Sequence, residues 1–370
     1  MVDQGLRAAD GGASRPVKAY LLKRLLLMVP TLLGITFLTY AIVRLAPGDP
    51  IAAMIRAQAG NIDPKVMHAD AERIRERLGL KDYDYLGDGR IDRLDKAIGV
   101  FHGYGRWFWH ILQGDFGESI KFRTGASPSS RNPFMLFLER IPVTLTLNVI
   151  AEIFIFLIAV PVGLASARRK GRLFDRASGV AFLVLWSIPE ILAGTLLLGL
   201  LARGGLWLPW FPVAWLHSPN SDEMGRLQYI GDMFWHAVLP VACMVYGGLA
   251  YLAKLGRASL LENLRADYVR TARAKGVPER QVVYRHALRN SLIPMITTMV
   301  MILPGLIGGS VIVENIFSIQ GMGLLVVEAA RACDLSVIMT GTLVYGFLTL
   351  LAVLIGDVLY AWADPRVRYE

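Results

Sequence analysis

Residues Lys254 to Arg289 read KLGRASLLENLRADYVRTARAKGVPERQVVYRHALR, with nine Lys/Arg against three Asp/Glu, between two apolar runs. The stretch carries its own punctuation. Gly276 is a natural helix stop, because only glycine takes a left-handed cap conformation without steric cost. Pro278 suits the start of another helix, where its missing donor would be unpaired in any case. The spacing therefore predicts two short helices joined by a tight turn at Gly276-Val277-Pro278, a compact knob projecting from a membrane. Three-and-four spacing puts Val282, Val283 and His286 on one face of the second helix. On the first helix, Tyr268, Thr271, Ala272 and Lys275 form an analogous row. A basic membrane-flanking loop held by anionic headgroups would carry the charge but would not require this turn.

Working outward, the chain of 370 residues is 54% hydrophobic with a mean hydropathy of +0.44, too apolar for an ordinary soluble domain. Its net charge of +9 could suggest nucleic acid. The cations instead crowd short loops beside apolar runs, which is how membrane topology is set, so no nucleic-acid partner is expected. The two cysteines, Cys243 and Cys333, offer neither a disulfide framework nor a metal cluster.

Six apolar segments are expected to span: Leu25–Val43, Ile141–Ala167, Ala177–Leu201, Ala237–Ala253, Leu292–Val313 and Ser336–Ile355. The first reaches close to a ~30 Å hydrocarbon layer at ~1.5 Å per residue. It is too long for a typical signal peptide core and lacks a clear cleavage site. Met1 to Pro16 reads as a polar tail. Ala69–Leu80 reads as a helix ending at Gly79, Lys81–Gly105 as an irregular Asp- and Gly-rich insertion, and Trp107-Phe108-Trp109 as an interfacial piece. His102 and His110 have no third ligand at metal spacing. Arg168, Arg169, Lys170, Arg172 and Arg176 follow span two, the knob follows span four, and Arg366 and Arg368 follow span six. The loops after spans three and five hold more carboxylates than cations. Every short basic loop then lies on the cytoplasmic side, together with both termini.

Several spaced motifs now carry a resemblance. The knob segment Arg270-Thr271-Ala272 followed by Gly276 resembles, in degraded form, the Glu-Ala-Ala…Gly loop of bacterial ABC-importer permeases. YVRTARAKG with HALRN, from Tyr268 to Gly276 and His286 to Asn290, looks like the dipeptide/oligopeptide branch of that family. Ala46-Pro47-Gly48-Asp49-Pro50 after the first span is similar to it as well. So are Gly114-Asp115-Phe116-Gly117-Glu118-Ser119, Ser187-Ile188-Pro189, the Glu314…Phe317…Gly321-Met322-Gly323 pattern and Asp364-Pro365-Arg366-Val367-Arg368. The insertion at Lys81–Gly105 departs from shorter members.

The resemblance implies an all-α polytopic fold of the type I ABC-importer permease kind, with six transmembrane helices in a bacterial cytoplasmic (inner) membrane. Residues 1–20 would be a cytoplasmic tail, 21–45 the first transmembrane helix and 46–135 an extracytoplasmic region. Residues 136–370 would be a five-helix core with a cytoplasmic coupling loop at 254–290. Implied partners are a second homologous permease of a different chain, two ABC ATPase subunits, an extracytoplasmic substrate-binding protein and membrane lipid. ATPase coupling would fall to Tyr268, Arg270, Thr271, Ala272, Lys275, Gly276, Val277, Pro278 and His286.

The chain contains no GxxxxGK[ST] phosphate loop, HExxH or GxSxG. It is therefore expected to be non-catalytic and to bind no cofactor, with ATP and Mg on partner subunits. Ionisable groups inside spans are costly and point to function. Glu152 and Glu190, with Ser187 and Pro189, are candidates for the translocation path, where a carboxylate could meet a peptide amino group; pairing between helices is the competing role. Glu314 reads as a structural hydrogen-bonding residue of the external loop. Cargo is expected to be short peptides or peptide-like solutes. A stand-alone ion-coupled secondary transporter is the alternative, but it has no use for an ATPase-docking knob.

Overall fold

The computed structural model describes residues 14–45, 51–53, 72–73, 75–76, 78–80, 93–119, 121–124 and 132–363. The Ala46–Pro50 motif, residues 81–92 of the expected insertion and the Asp364–Arg368 motif lie outside them. Eleven α-helices of six or more residues organise what is described, and no strand occurs among the described residues. Two compact units divide the chain, Met1–Arg140 with Leu325–Glu370, and Ile141–Leu324.

In the first unit, α1 (Ser14–Leu45) runs beside α11 (Leu335–Ala363). Ser14–Pro16, expected in the tail, already belong to α1, since proline is tolerated in a first helical turn. Arg24 Nε lies 3.3 Å from Asp357 Oδ2, giving that carboxylate the arginine partner it needs near a span end. α2 (Arg93–Leu112) packs on α1, with the Thr36 and Tyr104 hydroxyls 2.9 Å apart.

α2 corrects the expectation of an irregular segment through Gly105. Its glycines are contact points rather than helix breakers: a Cβ on Gly99 would fall 2.6 Å from the Arg44 guanidinium, and one on Gly103 would overlap the Tyr40 hydroxyl. Trp107 is buried while Trp109 and Leu112 are exposed, in keeping with an amphipathic helix. Gly79 closes the preceding turn with φ +64°. Tyr40 Oη donates to Leu78 O at 2.7 Å and Arg44 Nη1 to Gly79 O at 2.6 Å, pinning that turn to α1. The Gly114–Ser119 motif is likewise a set of anchors. Gly117 N donates to Asp115 Oδ1 at 3.0 Å, and Ser119 Oγ to Asp334 Oδ2 at 2.6 Å, at the start of α11.

The second unit is built on α3 (Pro133–Arg168), which it contains from Ile141 onward, and α6 (Arg226–Asn263). α3 runs unbroken through Pro142, Glu152 and Pro161, because neighbouring segments and internal adjustment can compensate a missing donor in a membrane helix. The two helices meet closely where side chains are small: a Cβ on Gly163 would stand 2.7 Å from Ala253 O, and one on Gly248 against Ile155. The 38 residues of α6 extend ~57 Å at ~1.5 Å per residue. That exceeds a ~30 Å hydrocarbon layer, so its end stands clear of the membrane.

Between these helices lie α4 (Leu173–Ser187) and α5 (Glu190–Leu201), which meet at 95°. The expected third span is thus a broken one, and the Ser187-Ile188-Pro189 motif is the break. Pro189 caps α5, Ile188 is extended, and Tyr246 Oη donates to the freed Ile188 O at 2.9 Å. After α6 come α7 (Asp267–Ala274), a turn, and a continuous stretch from Glu279 through a π-helical piece, Val282–Ala287, into α8 (Ile293–Gly308). α9 (Val311–Ile316) and α10 (Met322–Arg331) complete the order. Among the described residues, five helical segments are long and apolar enough to cross a membrane, six counting the bent pair as one span. The expected six-span, all-helical class agrees with this.

Candidate functional site

The knob is a strongly polar helical region, and its turn is built from the residues its sequence singled out. α7 ends with Gly276 at φ +73°. Gly276 N donates to Arg273 O at 2.9 Å and Val277 N to Ala272 O at 3.2 Å, while Val277 and Ala272 join one apolar cluster. This pair of bonds with its hydrophobic contact is a Schellman cap. Pro278 stands at the N-cap of the next helix, one residue earlier than the expected opening position. Across the turn, Arg273 Nε and Nη2 donate to the two Glu279 oxygens at 3.1 and 2.8 Å. Those bonds raise the Arg273 pKa further, so the clamp stays charged at physiological pH.

Two faces separate cleanly. Val269, Ala272, Val282 and Ala287 are buried with Leu260 and Ala167, so the knob has a core of its own. Of the expected coupling residues, Ala272 points into that core and Val277 packs against it, so both hold the knob together. His286 is half-buried on the second helix. Tyr268, Arg270, Thr271, Lys275, Gly276 and Pro278 are exposed. Tyr268 Oη donates to Asn263 Oδ1 at 2.6 Å. Beside them an open depression of about 570 Å³ is lined by Arg280, Gln281, Tyr284 and Arg285. Arg168, at the end of α3, donates to the Tyr284 hydroxyl at 3.0 Å and lies over its ring, tying the knob to a span.

A stiffer link lies at the root of the knob. Arg257 Nε and Nη2 donate to Asp175 Oδ1 and Oδ2 at 2.5 and 2.8 Å, joining α6 to the start of α4. Gly171 N also donates to Asp175 Oδ2 at 2.9 Å. A bidentate pair fixes orientation as well as distance. Sequence reading missed it, because the partners are far apart in the chain and each looked like one more loop charge.

The candidate path residues divide. Ser187, Pro189 and Glu190 sit together at the α4–α5 bend, with Ser187 Oγ donating back to Leu183 O at 2.8 Å. Glu190 Oε1 accepts from Ser310 Oγ at 3.2 Å, at the break between α8 and α9. Glu152 is not joined to them. It is buried in α3, and its Oε1 has no hydrogen-bond partner among the described residues.

The Glu314 motif forms a cage. Glu314 is 2% exposed; its Oε1 accepts from Thr144 Oγ1 and its Oε2 from Leu324 N, both at 2.9 Å. Met322 N donates in turn to Thr144 Oγ1 at 2.8 Å. Gly321 and Gly323 leave room for the carboxylate: a Cβ on Gly321 would lie 2.5 Å from Oε2, and one on Gly323 3.0 Å from it. The expectation that Glu314 is a structural hydrogen-bonding residue agrees with this geometry. Among the described residues no group of His, Cys, Asp and Glu fits a metal ion.

Residues 159–369 match the family described as "Binding-protein-dependent transport system inner membrane component". The chain is 36% identical over 351 residues to the oligopeptide transport system permease protein AppB of Bacillus subtilis (strain 168), covering 95% of this chain and 99% of that one. It is 34% identical over 371 residues to the inner membrane ABC transporter permease protein YejB of Escherichia coli O157:H7, with the same coverage. It is also 33% identical over 368 residues to the di/tripeptide transport system permease protein DppB of Pseudomonas aeruginosa (strain UCBPP-PA14), again at 95% and 99%. With five or six candidate spans among the described residues and relatives matched over nearly their whole length, the chain belongs to the family of inner-membrane permease components of binding-protein-dependent transport systems.

Proposed function

We propose that this chain is one of two transmembrane subunits of an ATP-driven importer for short peptides or peptide-like solutes. It forms half of the pathway and takes its driving force from separate ATPase subunits through the knob. The observation that carries the reading is the knob itself: a capped, clamped pair of helices with its own core, tied at its root to α4 by Asp175–Arg257. Such a piece transmits force as a lever, where a mobile loop would dissipate it. Tyr268, Arg270, Thr271, Lys275, Gly276 and Pro278 form its contact surface, joined by His286 from the second helix, and Ala272 and Val277 keep it rigid. ATP and Mg belong to the partner subunits, and the chain binds no cofactor of its own. The names of the relatives support peptide cargo.

The knob, the loop after α3 and both termini lie in the cytoplasm of a bacterial cell, by the distribution of cations. Residues 1–20 are the cytoplasmic tail, 21–45 the first span, and 46–135 face outward to meet a substrate-binding protein. Residues 136–370 are the core, with the coupling loop at 254–290. A second permease, of a different chain, completes the pathway. At the α4–α5 bend, Ser187, Pro189 and Glu190 face the path, with Glu152 deeper along it. An ion-coupled carrier has no use for the knob.

Purification of the tagged chain in mild detergent, with mass spectrometry of what accompanies it, tests the assembly. A second permease and ATPase subunits should co-purify. Uptake of a labelled dipeptide by the reconstituted complex should require ATP and disappear in Lys275→Glu. Recovery of the chain alone, still able to move solute on an ion gradient, would overturn the reading.

A further inference from the structure

We propose that the loop between α5 and α6 is a membrane anchor, seated in the phospholipid headgroup layer of the leaflet opposite the knob. From Gly204 to Leu216 the chain reads GGLWLPWFPVAWL, thirteen residues without a charged side chain and with three tryptophans. The loop follows α5 and enters α6 at Arg226, whereas the knob follows the other end of α6. Because α6 spans, the two features lie on opposite sides of the bilayer.

Apolar residues in a loop usually fold inward; Leu216 and Phe211 do, but most of the others do not. Leu206 is 90% and Trp207 77% exposed, with Trp210 and Trp215 also turned outward. The loop is nevertheless ordered, because it wraps the last turn of α5. Leu206 N donates to Gly199 O at 2.9 Å, Trp207 N to Leu200 O at 3.2 Å and Phe211 N to Leu201 O at 3.0 Å, while Arg203 N donates back to Phe211 O at 2.8 Å. These bonds satisfy carbonyls that a helix end leaves open. Phe211 also stacks on Trp235 of α6, ring centroids 4.6 Å apart. The backbone is held in place and the side chains are presented.

Two observations name the occupant. The exposed loop is continuous with helix faces already turned out of the protein: Leu192, Leu196 and Leu200 on α5, at four-residue spacing, lead directly to Leu206 and Trp207. On α6, Leu227, Ile230, Phe234 and Val238 make the matching stripe. A bilayer wets both stripes and the loop joining them without interruption. Charge agrees. Arg203 is exposed at the foot of the loop, with no side-chain hydrogen bond or ion pair among the described residues, where a lipid phosphate would meet it. Tryptophan beside arginine, at the end of an apolar stripe, is the composition of the interfacial layer, where an amphipathic ring sits between chains and headgroups.

The test places a photoreactive side chain in the loop. Trp207→p-benzoylphenylalanine and Trp210→p-benzoylphenylalanine are introduced separately and the transporter is assembled in nanodiscs of phosphatidylethanolamine and phosphatidylglycerol. Irradiation should attach phospholipid at both positions, read as an intact-mass increase of one lipid. Arg203→Gln should lower the phosphatidylglycerol share of those adducts. Adducts to the second permease or to the binding protein, or no adduct at either position, would overturn the proposal. The readout is independent of uptake, so a failure of the cargo or coupling reading leaves it intact, and its own failure leaves them intact.

Discussion

The knob and the Glu314 cage both depend on glycine, and for opposite reasons. Gly276 stands in open space, with nothing within 4 Å of where a Cβ would go, but its φ of +73° is one that side-chain-bearing residues rarely adopt. Gly321 has no such dihedral, yet a Cβ there would strike the Glu314 carboxylate. The first glycine is required by the backbone, the second by volume. The difference follows from environment. The knob's turn is exposed and polar, so it is held by local bonds between residues a few positions apart. The cage is buried, so it is held by a carboxylate whose hydroxyl donor, Thr144, comes from another helix. An exposed element can lose one contact to water; a buried one leaves an unpaired group.

Breaking the cage should therefore cost most. Glu314→Ala leaves the Thr144 hydroxyl and Leu324 N without their acceptor and opens a void, at a cost of about 3–5 kcal/mol. The folded fraction recovered in detergent should fall sharply, and Glu314→Gln should fall less. If Glu314→Ala purifies with an unchanged melting midpoint, the cage is not a structural element.

Next comes Gly321→Val, which overfills the same space and should destabilise by about 1–3 kcal/mol. Combined with Glu314→Ala it should cost less than the sum of the two, since the clash is with the removed group. Strict additivity in that double-mutant cycle would count against the steric account.

Gly276→Val sharpens the contrast. A β-branched residue at positive φ should strain the turn by about 1–3 kcal/mol. The effect should stay local: proteolysis between residues 274 and 279 should accelerate while the melting midpoint of the spans hardly moves, and ATP-driven uptake should be lost. Equal loss of the whole fold would show that the knob is not an independent element. Smallest of all should be Arg273→Ala. It removes a partly exposed clamp, and exposed pairs contribute only about 0.2–1 kcal/mol. A melting shift as large as that of Gly321→Val would break the comparison outright.

The sequence by itself determined what short-range chemistry controls. Apolar runs placed the spans, because a bilayer admits only segments that bond their own backbone. Gly276 and Pro278 placed the knob's turn, because cap geometry depends on residues within one helical turn. Cations in the short loops marked a consistent sidedness. Tertiary structure decided the rest. Ala272 read as one member of a helix-face row with Tyr268, Thr271 and Lys275, and its burial was settled only by packing, since which side of an amphipathic helix faces inward depends on the partner helix. The Gly-rich stretch through Gly105 read as irregular, yet Gly99 and Gly103 lie within a helix as contact points, since a glycine's role depends on what stands opposite it. The 95° bend at Ile188–Pro189, the Asp175–Arg257 pair and the outward tryptophans after α5 likewise depended on neighbours that only folding assembles. The chain's local bonds are written in residue order; its long-range bonds exist only once burial has brought distant residues together.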